Sequence, residues 1–201
     1  MVAVNHAIFP GASTISPAER AAFYRHQPAT VWLTGLSGSG KSTLAYALEK
    51  RLMDLGHACC VLDGDNVRHR LNRDLGFAPS EREENIRRVA EVAALFNDAG
   101  LIVITSFISP YLEHREMARG IIGGQRFVEI YLDAPIEVCE RRDVKGLYAK
   151  ARAGRITEFT GVSAPYEPPS APAMRINSDL LTLGASVDMV LTSLKSRLAG
   201  A

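Results

Sequence analysis

The chain has 201 residues, 47% hydrophobic and 22% charged, and a formal net charge of +1. That length suits one α/β domain with a sizeable core and leaves little room for a second. Near-neutral charge excludes a global field for nucleic acid or a membrane surface, and no apolar stretch is long enough to span a bilayer. Met1–Pro10 lacks the basic start and apolar core of a signal peptide, so a cytoplasmic protein is expected. Residues 1–29 read as an N-terminal extension. Ser16, Pro17 and Glu19 stand as N-cap, N1 and N3 of a short helix reaching about His26.

Residues 30–201 read as the main domain. Residues 30–35 are a strand, and 41–55 a helix with Leu44, Ala47, Leu48, Leu52 and Leu55 on one face, stopped by Gly56. Ala58–Leu62 is a nearly all-apolar second strand, covered on both faces. Its neighbours Cys59 and Cys60 point to opposite sides. With Cys139 they make three cysteines without metal or disulfide spacing, so each is expected to be a small buried apolar residue. The five histidines are scattered and none is assigned to metal or base chemistry. Leu71–Pro79 is mostly loop, and Ser80-Glu81-Arg82-Glu83 reads as a capping box opening a helix to about Ala99. Ile86, Val89, Ala90, Ala93, Ala94 and Phe96 form its core face, and Gly100 ends it.

Leu101–Thr105 is the third strand. Ser109-Pro110 reads as an N-cap and N1 pair for a helix through Met117. Phe127–Leu132 is the fourth strand, and Asp133-Ala134-Pro135 opens another helix. Over residues 143–172 Lys, Arg, Gly and Pro rise and apolar periodicity fades after Ala151, and Tyr166–Pro172 is too proline-rich for regular structure. A long loop of this kind in a compact domain reads as a functional lid. Residues 173–177 form a short last strand, followed by a helix at about 185–198 with Val187, Val190, Leu191, Leu194 and Leu198 in one stripe. The alternation predicts a parallel sheet with ligands at the carboxyl ends of its strands.

Gly35-Leu36-Ser37-Gly38-Ser39-Gly40-Lys41-Ser42 fits the phosphate-cradling pattern G-x-x-x-x-G-K-[ST], set between a strand and a helix. Its glycines let several N–H groups converge on a phosphate, and the helix N-terminus faces the same anion. Lys41 is expected to reach the β- and γ-phosphates of ATP and Ser42 to ligate Mg²⁺. Asp63 and Asp65 follow the second strand. One carboxylate can hold the Mg²⁺ hydration shell and the other can take the proton of an attacking hydroxyl; a plain Asp-Gly turn is the bland alternative. Arg68, Arg82, Arg87 and Arg88 come next. Arg82 opposes the dipole of its helix, which suits a second anion site better than stability; a solvated helix face is the alternative.

These residues resemble the adenylylsulfate kinase family. The blocks are Gly35–Thr43, Leu62–Arg68, Leu71–Phe77, Glu84–Arg88, Phe107–Tyr111, Lys145–Tyr148, Phe159–Gly161 and Pro165–Glu167, in order over about residues 12–198. The resemblance implies a P-loop NTPase-type three-layer sandwich, with a mostly parallel five-stranded sheet and a mobile lid at about 145–171. It implies MgATP-dependent phosphorylation of the 3′-hydroxyl of adenosine 5′-phosphosulfate, with Gly35–Thr43 (Gly35, Leu36, Ser37, Gly38, Ser39, Gly40, Lys41, Ser42, Thr43) binding ATP and Ser42 and Asp63 serving the metal. Asp65 is then the base beside Lys41. Arg68, Arg82 and Asn85 hold the acceptor nucleotide, and Phe77 and Phe159 sandwich its adenine. Ile108, Ser109, Lys145 and Leu147 line the acceptor site. Ser109 is kept as a site residue of open role, with direct in-line transfer favoured. A homodimer and a functional link to an ATP sulfurylase are the expected partnerships.

Three positions depart from the family pattern: Glu81 stands where Asp is frequent, Arg70 where a small residue is common, and Arg155 where an acidic lid residue is common. The last two bear on lid closure and affinity rather than on reaction class. Two rivals remain open at this point. One is a kinase acting on a sugar or shikimate-like hydroxyl, disfavoured by the two phenylalanines. The other is a non-catalytic nucleotide-binding module, disfavoured by intact Lys41, Ser42, Asp63 and Asp65.

Overall fold

The computed structural model describes residues 11 and 13–199, so the readings of Met1–Pro10 and His6 lie outside the described residues. In chain order the elements are α1 (Pro17–Tyr24), β1 (Thr30–Thr34), α2 (Lys41–Asp54), β2 (Cys59–Asp63), α3 (Gly64–His69), α4 (Pro79–Asp98) and β3 (Ile102–Ser106). Then come α5 (Leu112–Ile122), β4 (Phe127–Asp133), α6 (Ile136–Arg142), α7 (Leu147–Arg152), β5 (Met174–Asn177) and α8 (Leu183–Leu198).

Alternation along β1 builds the two layers. Val31 and Leu33 turn to one face, where Leu44, Leu48 and Leu52 of α2 and Val187, Val190 and Leu194 of α8 cover them. Trp32 turns to the other, among Ile86, Val89, Ala90 and Ala93 of α4 and Ala118 and Ile122 of α5. Each fully buried aliphatic side chain contributes about 1.5–3 kcal/mol, so both stripes hold their helices firmly. Cys59 packs in the first layer and Cys60 in the second, on opposite faces as their adjacency requires. Among the described residues no helix is long and apolar enough to cross a membrane.

The five strands run parallel in the order β2-β3-β1-β4-β5. From central β1 the chain crosses to the edge at β2, returns beside β1 as β3, then crosses to the far side for β4. The loop after β1 therefore opens at the switch point, where a parallel sheet presents its ligand crevice. Asp63 and Ser106 are register partners at the ends of β2 and β3, which sets them side by side at that crevice.

Four local expectations change. The helix after the loop begins at Pro79 rather than Ser80, with Ala78 as N-cap and Glu81 Oε2 accepting from the Ala78 N–H at 3.0 Å. Phe96 is exposed, and Asn97 is the buried residue of that turn. Its amide donates to the carbonyls of Ala29 and Leu101 and accepts from Thr30 Oγ1. Ser109 is not an N-cap: α5 starts at Leu112 with Tyr111 as its N-cap. The lid segment is not bare loop. Leu147, Tyr148 and Ala151 form the apolar side of α7, and Tyr148 and Ala151 pack with Ala134, Cys139 and Phe159 into a third small core.

The capping box at Ser16 and Glu19 is present, so α1 forms as its sequence requires. It docks rather than floats. Ala21 and His26 are buried, His26 Nε2 lies 3.0 Å from the Gly100 carbonyl, and the Gln27 N–H donates to Arg197 O at 2.8 Å.

Candidate functional site

The turn from β1 to α2 is shaped by what its glycines cannot accommodate. A Cβ on Gly35 would stand 2.6 Å from the Leu132 carbonyl, and one on Gly38 2.9 Å from that of Cys139. The backbone is thus pressed against β4 and α6, at positive φ in both places. Gly40 serves as N-cap in the left-handed region with no side-chain cap, so the first N–H groups of α2 face the crevice for an anion. Lys41 Nζ donates to the carbonyls of Gly35 at 2.9 Å and Leu36 at 2.7 Å. Burial pulls its pKa from an ordinary 10.5 to about 8, against the opposing pull of Cys139 and Asp63. Ser178 Oγ donates to Ser39 O at 2.8 Å and Tyr148 hydroxyl to Ser37 O at 2.9 Å, fixing the outer rim. Arg142 donates to Ser178 O at 2.8 Å.

Asp63 does two things with its two oxygens. Oδ1 accepts from the Asp65 N–H at 3.0 Å and so caps α3, a helix the Asp-Gly-Asp pattern does not announce. Oδ2 accepts from Ser42 Oγ at 2.7 Å, and Ser106 Oγ stands 3.1 Å from the same hydroxyl. Three hard oxygen groups therefore gather beside the phosphate loop, the donor type Mg²⁺ takes. Asp65, 61% exposed in its side chain, projects from the first turn of α3 and forms an ion pair with Lys145 across the cleft.

The residues expected on the acceptor side are tied to one another. Arg68 donates to Gly76 O at 2.8 Å and its guanidinium lies 4.3 Å from the centre of the Phe77 ring. Burial and the nearby charge of Arg82 hold Arg68 below its usual pKa. Arg82 spans two segments: Nε donates to Phe77 O at 2.7 Å, and its other nitrogens donate to Glu158 O at 2.5 Å and Thr160 Oγ1 at 3.2 Å. Asn85 is buried and its Oδ1 accepts from Asn72 at 3.0 Å. Phe77 is 62% exposed, whereas Phe159 is 8% exposed and meets Tyr148 edge-on at 5.0 Å between ring centres. In this conformation the two rings are not both open faces: Arg68 covers Phe77, and Phe159 belongs to the lid core. Leu147 opens α7 and packs at the edge of that core. Ile108 is half-buried, its carbonyl accepting from Thr34 Oγ1 at 2.8 Å.

Ser109 occupies the left-handed region at φ 40° while preceding a proline, a backbone state costing about 1–3 kcal/mol. It is 2% exposed. Its Oγ accepts from Trp32 Nε1 at 3.2 Å and donates to Thr34 Oγ1 at 3.0 Å, so no acid or base is hydrogen-bonded to it. Reading Ser-Pro as a helix start misses this, because the restraint comes from β1 and α5 rather than from neighbours in sequence. Asp133 also lies at the sheet edge, but its carboxylate is held by Arg175 at 2.7 Å. Sequence reasoning passed over Ser106, Arg115, Arg142 and Ser178. Only Ser106 carried a signal, as a hydroxyl at the carboxyl end of a strand.

A family model described as adenylylsulphate kinase matches residues 27–177. An adenylyl-sulfate kinase of Lactiplantibacillus plantarum is 54% identical over 182 residues, covering 90% of this chain and 88% of that protein. The bifunctional enzyme NodQ of Azospirillum brasilense is 56% identical over 164 residues, which span 82% of this chain and 26% of NodQ. Among solved structures, the Mycobacterium tuberculosis APS kinase CysC in complex with AMPPNP and APS superposes with a TM-score of 0.82. It is 47% identical, and the match covers 85% of this chain and 99% of that one. The phosphate loop and the paired aspartates lie inside the matched span, and the chain belongs to the adenylylsulphate kinase family.

Proposed function

We propose that the chain transfers the γ-phosphoryl group of ATP to the 3′-hydroxyl of adenosine 5′-phosphosulfate, giving 3′-phosphoadenosine 5′-phosphosulfate and ADP. The observation that carries this is the joining of phosphate loop, Ser42, Asp63 and Asp65 at one sheet edge in a member of this family. The acceptor oxygen forms the new P–O bond as the γ-phosphorus bond to ADP breaks, and Asp65 takes the hydroxyl proton once Lys145 yields it. The loop N–H groups and Lys41 hold the β- and γ-phosphates, Lys41 exchanging two carbonyls for phosphate oxygens.

The oxygen donors at the loop fit Mg²⁺: Ser42 would hold it directly, with Asp63 and Ser106 ordering its water shell. Bound there, it would supply positive charge that offsets the negative charge of the transferring phosphates. Arg68, Arg82, Asn85, Ile108, Ser109, Lys145 and Leu147 form the acceptor side. Phe77 and Phe159 take the adenine after Arg68 leaves the ring it covers. Residues 145–171 act as the lid that excludes water, and we read 1–29 as an N-terminal extension of the 30–201 kinase domain. We place the protein in the cytoplasm, where three free cysteines stay reduced. A homodimer and a functional link to an ATP sulfurylase complete the reading. The link is supported by a bifunctional relative in which this stretch is only part of the chain.

The test is a coupled ADP-release assay with adenosine 5′-phosphosulfate, a sugar and shikimate as competing acceptors. Turnover restricted to the phosphosulfate is expected. A sugar outperforming it by orders of magnitude would overturn the reading.

A further inference from the structure

Arg115, on α5 in the layer that α4 and α5 form over the sheet, is a positive charge buried to 2% exposure, and its guanidinium has three partners from three segments. Nε donates to Glu129 Oε1 on β4 at 2.8 Å. One terminal nitrogen donates to the Ser109 carbonyl at 2.6 Å, and the other to the Glu167 carbonyl at 2.6 Å. The Glu129 contact neutralises the charge. The other two fix backbone.

Both fixed points matter for geometry. Ser109 holds a left-handed φ that its own sequence disfavours, so an outside restraint is needed to keep it there. Glu167 lies at the carboxyl end of the lid. Its N–H donates to Pro110 O at 2.8 Å, and its Oε2 accepts from the Leu112 N–H at 2.7 Å. Next to it the Tyr166 hydroxyl lies 2.9 Å from Thr34 Oγ1, the same hydroxyl that receives Ser109 Oγ. The lid base and the strained turn after β3 are thus bolted together, with Arg115 the one side chain that donates to both carbonyls.

We propose that Arg115 is a positioning residue for the acceptor half of the site, acting through the Ser109 backbone and the base of the lid and touching neither substrate. The inference rests on the adenylyl-sulfate kinase reading. It predicts an asymmetric defect, because the phosphate loop is braced separately by Ser178, Tyr148 and the contacts of Gly35 and Gly38.

The test measures KM for each substrate in the full-length chain. Glu129→Gln keeps both carbonyl bonds but leaves the buried Arg115 charge unpaired, so it is expected to lower stability while the folded chain keeps the two KM values within about twofold. The double variant Arg115→Met with Glu129→Gln removes the clamp without stranding a buried charge. It is expected to raise KM for adenosine 5′-phosphosulfate by about tenfold or more, with KM for ATP held within about twofold. Glu167→Ala, at a half-buried position, keeps the carbonyl that Arg115 holds and loses the Leu112 contact, and should shift the acceptor KM alone by about threefold. If the double variant does not fold, Arg115→Lys, which keeps a charge beside Glu129 but cannot donate to both carbonyls, decides the matter by the same readout. Equal changes in both KM values, or none in the acceptor KM, overturn the inference. Wild-type chain that does not turn over the phosphosulfate defeats the function reading instead.

Discussion

The lowered pKa of Lys41 makes a quantitative prediction about the chain without nucleotide. Burial takes the ammonium from 10.5 in the ordinary case to about 8 in the fold. The folded value lies below the unfolded one, so between them the unfolded chain binds more protons and stability rises with pH. Below the folded value both states are charged and the full cost of burying the ammonium is present. The whole difference corresponds to about 3 kcal/mol, and the part released between about pH 7 and about pH 9.5 is about 2 kcal/mol. Other groups titrate in this range, so the useful quantity is the difference between wild type and Lys41→Met, measured by urea unfolding at both pH values. The wild-type chain is expected to gain about 2 kcal/mol on the variant across that interval. A difference that stays flat, or that moves against the wild type, would refute the account of Lys41 as an ammonium whose burial outweighs the attraction of Cys139 and Asp63. Saturating ATP should flatten the slope, because phosphate restores a counter-charge and raises the lysine pKa.

Asp65→Ala should lower kcat by about 10²–10⁴-fold while ATP still binds by calorimetry, and unchanged turnover would remove Asp65 as the base. Phe159→Ala should weaken binding of the phosphosulfate more than of ATP. Because this ring is buried in the lid core, the same change should also cost up to about 3–5 kcal/mol, seen as faster proteolysis near residues 147–162. Gly35→Ala forces a Cβ to 2.6 Å from the Leu132 carbonyl, so β1 and β4 must part. A drop of more than about 2 kcal/mol in unfolding free energy is expected, and a neutral result would contradict the close approach of loop and strand.

The sheet was legible because β1 to β4 are largely apolar runs with a glycine or a capping signal nearby, and α2, α4 and α8 each carry one apolar stripe. The donor half of the site was legible for a related reason. Its function is carried by backbone geometry, and Gly35, Gly38 and Gly40 mark positive φ directly in the sequence. What escaped was decided by distant contacts. Ser109-Pro110 has the local chemistry of a helix start, yet Trp32, Thr34 and Arg115 fix it as a strained turn. Asn97 lies where apolar periodicity would place another hydrophobe, because the end of α4 must satisfy backbone groups of the strands beneath it. For Asp63-Gly64 the sequence offered a plain turn as the alternative to a site role, and neither reading announced α3, which the cap bond to Asp65 opens.

The acceptor half could be named from the sequence only by resemblance, and the geometry explains why. Its polar groups are already satisfied within the chain: Arg68 by Gly76, Arg82 by Phe77, Glu158 and Thr160, Asn85 by Asn72, Asp65 by Lys145. No local motif records such a set, because it depends on distant partners as well as near ones: Lys145 for Asp65, and Glu158 and Thr160 for Arg82. Binding there is an exchange of partners rather than a gain of new ones. An acceptor that replaces every lost bond costs little, whereas one that leaves a buried group such as Asn85 unpaired loses about 1–3 kcal/mol for each. Selectivity among hydroxyl acceptors then arises from the penalty on imperfect replacements. With the roles proposed above the lid segment takes part directly, since Lys145 is paired with Asp65 and Glu158 with Arg82 and both contacts must open for the acceptor. On that proposal an acceptor unable to draw both away leaves Asp65 paired, and ATP in the cradle is kept from transfer to it.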